Sequence, residues 1–589
     1  MTTFAHALAS ALSRHATQAF GLMGNGNAHL IDALPHHGIA LTEVRHEAAT
    51  VASADAYARI TGTLAIATAT YGAGFTNTLT ALAEAAQART PLLLVVGDEP
   101  TTGRRPWDVD QEMAAAALGV RSYALDPQHI DEIVDRAVTS AERVRRPVVL
   151  SIPYDHAALE LPLPRPADLA TEEGIDLNDP ATMQALAQAT LPSGASAARR
   201  ESSHARPSTT ATSIELAAAV QLLTGAERPL VLAGHGAWVS GAESQLATLA
   251  ERLGALTAST ALARGIFADD RFDLGITGGF GQHRAMQTIT QADVVIVVGA
   301  SLNQFTMRFG ELFGPGTKIV RIDRDQVDPP KSLHEIEQLL LRGDASEVLD
   351  SLIAGLSAHR AQTLWRDQVR GLEPGGALRA LDRGTDHPGG LCEDGRLDPR
   401  AVAARLAELL PEDRHVTSDG GHFIGWANMF WPVASPQRMI MVGTAYQTIG
   451  LGLATVAGVA AAAPDSTTVV TTGDGGGLMA LADLETAIRT TKSCVIVVWN
   501  DGAYGAEVHL YGLMGIDQAP MMIPDVNFAG LAAALGATGV RVDTLADLDA
   551  LTAWREAGAS GTILVDCRIS RSVTAPYQVE IQRVNGLDV

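Results

Sequence analysis

Four short runs constrain this chain more than anything else in it: PLLLVVGDEP (91–100), ADVVIVVGAS (292–301), STTVVTTGDG (466–475) and CVIVVWNDG (494–502). Each is apolar on both faces, and each carries glycine near its carboxyl end. Strands without polar alternation belong in sheets covered on both sides, which are parallel and need helical crossovers. GTLAIATAT (62–70), RPLVLAGHG (228–236), TKIVRID (317–323) and GTILVDC (561–567) extend the pattern. The expected fold class is therefore α/β, with three domains of parallel sheets covered by helices.

A chain of 589 residues is too long for one core. Two stretches poor in apolar periodicity divide it, one rich in Ala, Ser, Thr and Pro and one rich in Gly. The expected division is residues 1–164, a linker 165–213, 214–360, a linker 361–395, 396–570 and a tail 571–589. The net charge of −23 argues against nucleic acid or an anionic membrane as partner. Leu451–Ala463 is too short for a spanning helix, which needs about 20 residues, and its Gly and Ala content predicts a closely packed core helix. Cys392, Cys494 and Cys567 are too widely spaced for a disulfide framework or a CxxC metal pair, which points to a reduced, cytoplasmic setting.

The run ending in Gly473-Asp474-Gly475-Gly476-Gly477 leads into a helical pattern with Leu478, Leu481, Leu484 and Ile488 on one stripe. Glycines at a strand–helix junction let backbone N–H groups approach phosphate oxygens. A carboxylate there repels phosphate unless a divalent cation lies between, and Mg²⁺ accepts carboxylates, phosphates and water together. Residues 476–499, 24 in number, give one helix and one strand before Asn500-Asp501. That β-α-β unit brings both loops to the carboxyl ends of neighbouring strands, so Asp474 and Asp501 are placed to share a metal. A Rossmann GxGxxG would need glycine where Leu478 stands.

GDG followed one β-α unit later by Asn-Asp resembles the thiamine-diphosphate motif, GDG then NN. Asp501 replaces the second Asn, a replacement also found in catabolic acetolactate synthases. GLMGNGNAHLIDAL (21–34), EVRHEAATVASADAYARITG (43–62), TYGAGFTNTLTALAEAAQARTPLLLVVGD (70–98) and GTAYQTIGLGLATVAGVA (443–460) extend the resemblance over nearly the whole chain apart from the linkers. The architecture it implies is that of pyruvate decarboxylase, benzoylformate decarboxylase and acetolactate synthase: a pyrimidine-binding domain, a Rossmann-like middle domain and a diphosphate-binding domain.

The resemblance implies thiamine diphosphate and Mg²⁺ as cofactors, the metal held by Asp474, Asp501 and the carbonyl of Ala503. Glu47 becomes the carboxyl group that hydrogen-bonds the coenzyme's aminopyrimidine. That task suits a carboxyl group in apolar surroundings, which its Ala- and Val-rich neighbourhood permits. Ile449 falls where the family places a bulky residue beneath the coenzyme. Gly420, Gly421 and His422, with Gly473, Gly475, Gly476 and Tyr504, complete the expected cofactor site. Glu507 takes the position of a substrate-side glutamate, with His509 two residues on as a weaker candidate. Gln111, in DQEM, resembles the Phe-Gln-Glu segment of acetolactate synthases and joins Glu47 and Glu507 in the expected catalytic set.

Departures shape the expected reaction. Asn25 stands where pyruvate decarboxylases have Asp, and DVDQEMAAAAL (108–118) lacks their His pair. Thr70 or Tyr71 falls where benzoylformate decarboxylase has its first active-site His, and Gly97-Asp98 replaces the usual Gly-Gln. A site poor in proton donors leaves the decarboxylated donor available for joining to an acceptor. The expectation is thus decarboxylation of a 2-oxo acid followed by carboligation, like acetolactate synthase. The alternatives are a simple 2-oxo acid decarboxylase or C–C lyase, and a pyruvate-oxidase-like enzyme with FAD near LAGHGAWVSG (232–241), a cofactor the sequence permits without indicating. In the family the site lies between two subunits, so a homodimer or homotetramer is expected.

Overall fold

The computed structural model describes residues 2–161, 211–267, 271–359, 364–373 and 375–587. The apolar runs form three six-stranded sheets in which every strand pair is parallel. The linker expected at 165–213 lies, except for residues 211–213, outside the described residues.

The first sheet runs Ala40–Glu43, Gln18–Gly21, Ile66–Ala69, Leu93–Asp98, Val148–Pro153, Arg121–Ala124. Numbered along the chain, that order is 2-1-3-4-6-5. The third sheet runs Met439–Ile440, Arg414–Ser418, Thr467–Gly473, Ser493–Asn500, Gly561–Arg568, Thr538–Val542, the same order again. In each, the winding reverses between the first and third strands. Loops at the carboxyl ends diverge there and leave the crevice in which open α/β sheets bind ligands. The loops so placed are 22–27 and 70–74 in the first sheet, and 419–422 and 474–477 in the third.

The middle sheet runs Asp273–Ile276, Leu256–Ser259, Pro229–Ala233, Val294–Val298, Lys318–Asp323, Glu337–Arg342, the 3-2-1-4-5-6 order of dinucleotide-binding folds. Its reversal point is filled by backbone. Gly234 N–H donates to the Val298 carbonyl at 2.8 Å, and Gly236 N–H to that of Gly299 at 2.9 Å. A Cβ on Gly234 would stand 2.6 Å from the Ala300 Cβ, and one on Gly236 2.9 Å from the Gly299 Cα. Gly234 and Gly236 of LAGHGAWVSG let these two loops touch.

The expected helical stripe after Gly473 is two helices, Asp474–Met479 and Ala482–Thr490. Three glycines in the first turns weaken a continuous helix, yet Leu478, Leu481, Leu484 and Ile488 still pack into one cluster. The helix between Ile66–Ala69 and Leu93–Asp98 runs Ala73–Ala88. Leu451–Ala463 is a buried 3₁₀ turn, Leu453–Thr455, running into Val456–Ala462. Among the described residues no helix is long and apolar enough to cross a membrane.

Residues 571–587 are built into the same body as the middle and third sheets. A helix, Pro576–Val584, brings Tyr577 against Phe280 and Phe305 with ring centroids 5.5 and 5.9 Å away. Arg308 Nε donates to Glu580 Oε1 at 2.6 Å, and Arg583 pairs with Glu311 at 2.8 Å.

Gly234→Ala forces two backbones apart, so we expect it to destabilise the protein by about 1–3 kcal/mol. A lowered urea midpoint with unchanged slope checks this; an unchanged midpoint refutes the close-packing reading.

Candidate functional site

The crevice of the third sheet is organised by a side chain that the sequence did not single out. Asp419, fully buried at the end of Arg414–Ser418, accepts from Gly420 N–H at 2.8 Å, Gly450 N–H at 2.9 Å and Thr472 Oγ1 at 3.1 Å. Burial pushes its carboxyl up to about 6 against these bonds, which favour the charged form. A Cβ on Gly476 would collide with its Oδ2, and one on Gly452 would stand 2.8 Å from its Cβ. One carboxylate thus ties together the loops at 420, 450 and 472–476.

The glycines after Thr472 serve close approach. None of Gly473, Gly475, Gly476 or Gly477 has a positive φ. A Cβ on Gly473 would stand 3.0 Å from the Phe423 ring, and one on Gly475 2.7 Å from that of Tyr504. Asp474 opens the helix, buried, and accepts from Gly475 N–H at 3.1 Å and Gly502 N–H at 2.9 Å. Asp501, equally buried, accepts from Ala503 N–H at 3.1 Å. Burial raises both carboxyls, and repulsion from Asp474 raises Asp501 further. Asn500 points the other way, donating to Asp566 Oδ1 at 2.9 Å. Two buried, mutually repelling oxygen donors beside a glycine-cleared floor are the chemistry a hard divalent cation satisfies.

Ile449 is held beside Gly420, whose Cβ would lie 3.2 Å from the Ile449 Cγ2. Left-handed backbone at Gln447 (φ 59°) and Gly450 (φ 86°) flanks and projects it. His422 is buried, and its Nε2 accepts from Ala575 N–H at 2.9 Å, which leaves the ring proton to Nδ1. Burial, with His509 4.5 Å away ring to ring, drives His422 down to about 3. Tyr577 donates to the carbonyls of Gly421 and His422 at 3.1 and 3.0 Å, and Gln582 Nε2 donates to the His509 carbonyl at 2.6 Å. The C-terminal helix therefore braces two loops at once. Glu507 stands exposed at the end of Gly505–Glu507, just before the π turn Val508–Gly512.

In the first sheet Glu47 opens the helix Glu47–Thr61, half-buried, and Asn77 Nδ2 donates to its Oε2 at 3.0 Å. Its Oε1 lies 3.6 Å from where a Gly74 Cβ would be. Gln111 is buried with both ends engaged: Oε1 accepts from Gly72 N–H at 2.8 Å, and Nε2 donates to the Gly97 carbonyl at 2.9 Å. Its amide fastens the 70–74 loop to the end of the strand Leu93–Asp98. The structure gathers Gly420, His422, Ile449, Gly473, Asp474, Gly475, Gly476, Asp501, Ala503 and Tyr504 around the third sheet's crevice. Glu47 and Gln111 stand at the first sheet's. Asp419 and Tyr577 escaped the sequence reading; a buried-looking Asp at a strand end was the one available hint.

Comparison with known proteins bears on this arrangement. Residues 2–118 match the model of the thiamine pyrophosphate enzyme N-terminal TPP-binding domain, 216–352 that of the central domain, and 419–567 that of the C-terminal TPP-binding domain. The chain is 28% identical over 550 residues to the acetolactate synthase isozyme 3 large subunit of Escherichia coli K12, covering 90% of this chain and 88% of that one. It is 28% identical over 567 residues to a probable 2-ketoarginine decarboxylase of Pseudomonas aeruginosa, covering 93% and 90%. It is 26% identical over 571 residues to a sulfoacetaldehyde acetyltransferase of Castellaniella defragrans, covering 90% and 86%. In fold it is similar to benzoylformate decarboxylase from Polynucleobacter necessarius, at a TM-score of 0.74 and 19% identity over 97% of this chain and 99% of that one.

His422, neutral in the fold, must be charged in the unfolded chain below its ordinary pKa of about 6.5. Its contribution to stability is complete above that value and is lost as pH falls toward 3, amounting to about 2 kcal/mol by pH 5. Asp419 acts oppositely between about pH 6 and 4, so the reading is the difference between wild type and His422→Gln. We expect the gap between their denaturation midpoints to narrow from pH 7.5 to 5; a constant gap refutes a neutral buried imidazole.

Proposed function

The chain belongs to the thiamine pyrophosphate enzymes, and from that premise we propose that it decarboxylates a 2-oxo acid and joins the remaining fragment to an acceptor, as acetolactate synthases do. The observation that carries this is the buried pair Asp474 and Asp501 beside a glycine-cleared floor at the topological reversal of the third sheet. Similarity to acetolactate synthase along nine-tenths of the chain supports the second half. Ending the reaction by protonation is the second reading, supported at equal identity by the 2-ketoarginine decarboxylase. Gly234 and Gly236 of LAGHGAWVSG are engaged by residues 299–300, which lends no support to FAD, the third reading.

When bound, thiamine diphosphate supplies the electron sink into which a 2-oxo acid loses CO₂. Asp474, Asp501 and the Ala503 carbonyl would hold Mg²⁺, whose charge would offset that of the diphosphate. The Gly420-Gly421 backbone, His422 with its proton on Nδ1, and Gly475-Gly476 line that end, while Ile449 and Tyr504 supply apolar walls. Glu47 offers Oε1 to the pyrimidine, Asn77 having taken Oε2. Gln111 acts by positioning, and Glu507 is the carboxyl offered to substrate. Glu47 and the acid pair act together in a homodimer or homotetramer, one copy supplying each. Three buried free thiols suit a reduced, cytoplasmic setting.

Purified protein with thiamine diphosphate, Mg²⁺ and pyruvate, followed by proton NMR, tests the reading. Acetolactate is expected; acetaldehyde alone transfers the case to the decarboxylase reading, and inertness toward a panel of 2-oxo acids overturns both. Glu47→Gln should lower kcat roughly 100-fold or more while coenzyme affinity, read by fluorescence quenching, persists. Asp474→Ala, or chelation of the metal, should remove coenzyme binding itself.

A further inference from the structure

Four loops at the carboxyl ends of the first sheet converge on a cluster that the cofactor residues leave unused. Asn25 follows Gln18–Gly21, Tyr71 follows Ile66–Ala69, Arg105 lies beyond Leu93–Asp98, and Tyr154 follows Val148–Pro153. Asn25 Nδ2 donates to the Tyr71 hydroxyl at 3.1 Å and to that of Tyr154 at 3.4 Å. The two rings meet edge to face, with centroids 5.8 Å apart. Arg105 lies over both faces, its Cζ 4.2 Å from the Tyr71 centroid and 4.5 Å from that of Tyr154. Asp108 fixes the guanidinium through Nε and Nη2, each at 2.8 Å. Gly26 must lack a side chain, because a Cβ would stand 2.7 Å from Tyr71 Cδ1.

Each phenol oxygen accepts a hydrogen bond from the same amide, so each keeps its own O–H to donate. The nearby cation is already matched by Asp108, which Arg105 holds well below the usual carboxylate range. What this face offers a ligand is therefore a pair of neutral donors on stiff rings. That suits a carboxylate that must lose its charge as CO₂ departs. A direct ion pair would stabilise the starting acid more than the transition state and slow its loss. Neutral hydroxyls orient the acid without that penalty.

We propose that the hydroxyls of Tyr71 and Tyr154, set by Asn25 and backed by Arg105, are the hydrogen-bond donors that bind the oxygens of the 2-oxo acid. This rests on the 2-oxo acid reading above and names the residues that would select its substrate. Phenylalanine keeps the ring, the edge contact and the stacking with Arg105, and removes only the O–H. Tyr71→Phe, Tyr154→Phe and the double variant are compared with wild type in three measurements: coenzyme affinity, KM for the 2-oxo acid that wild type turns over, and affinity for the matching acylphosphonate by calorimetry. Acid and phosphonate should bind about tenfold more weakly per hydroxyl removed, the value of one hydrogen bond to a charged group. Coenzyme affinity and thermal midpoint should stay put. Unchanged acid binding in the double variant, or coenzyme affinity falling in parallel with it, overturns the assignment alone. A coenzyme-loaded wild type that neither turns over a 2-oxo acid nor binds a phosphonate overturns the reading beneath it, and the assignment with it.

Discussion

A carboxylate taken out of water must find its hydrogen bonds in the protein, and Asp419 finds them in three segments at once. Gly420, Gly450 and Thr472 lie on different stretches of chain, yet all three donate to the same carboxylate. The glycine floor is arranged around that group: Gly476 and Gly452 are bare where a methyl would strike Asp419. The position of Asp474 follows, since its helix begins where the floor permits, and Ile449 follows from the Gly450 bond. Such a group is costly to bury and costlier to remove, because its loss leaves several donors unsatisfied together.

The crevice exists because of topology. The first and third sheets share a strand order, and in both the residues of interest sit where the winding reverses. The middle sheet has its own reversal point, but glycine backbone from 234–236 meets 299–300 and fills it. The same amino acid thus does opposite work in one chain. In the third sheet missing side chains clear a floor; in the middle sheet they allow a closure.

What the sequence made legible was what local spacing determines. Asp474 and Asp501 are separated by one helix and one strand, so their meeting follows from β-α-β geometry. The parallel sheets follow from runs apolar on both faces. The helix after Gly473 was read as continuous and is bent, because periodicity reports which side chains share a face and says little about a break that preserves it. Asp419 was invisible, since its partners at 450 and 472 are adjacent only after folding. Gln111 was visible as a family-like residue, while the bonds to Gly72 and Gly97 that define its work were not. Tyr71 was legible only as standing near a missing histidine, and Tyr154 joins it only after folding, since it follows a different strand of the first sheet.

The bracing by residues 574–583 has a consequence in time. Ala575 donates to His422 across 153 residues of sequence. At ordinary synthesis rates of 5–20 residues per second, the loop at 420–422 leaves the ribosome roughly 8–30 s before the segment that braces it. During that interval the buried imidazole and the two carbonyls that receive the Tyr577 hydroxyl have only water for partners. The strands of the third sheet can pair as they emerge, but the loop reaches its final shape only after the helix at 576–584 has docked. Completion of the third sheet's crevice is thereby made a late event in the birth of each molecule, and a chaperone that shields the nascent chain has this stretch to protect.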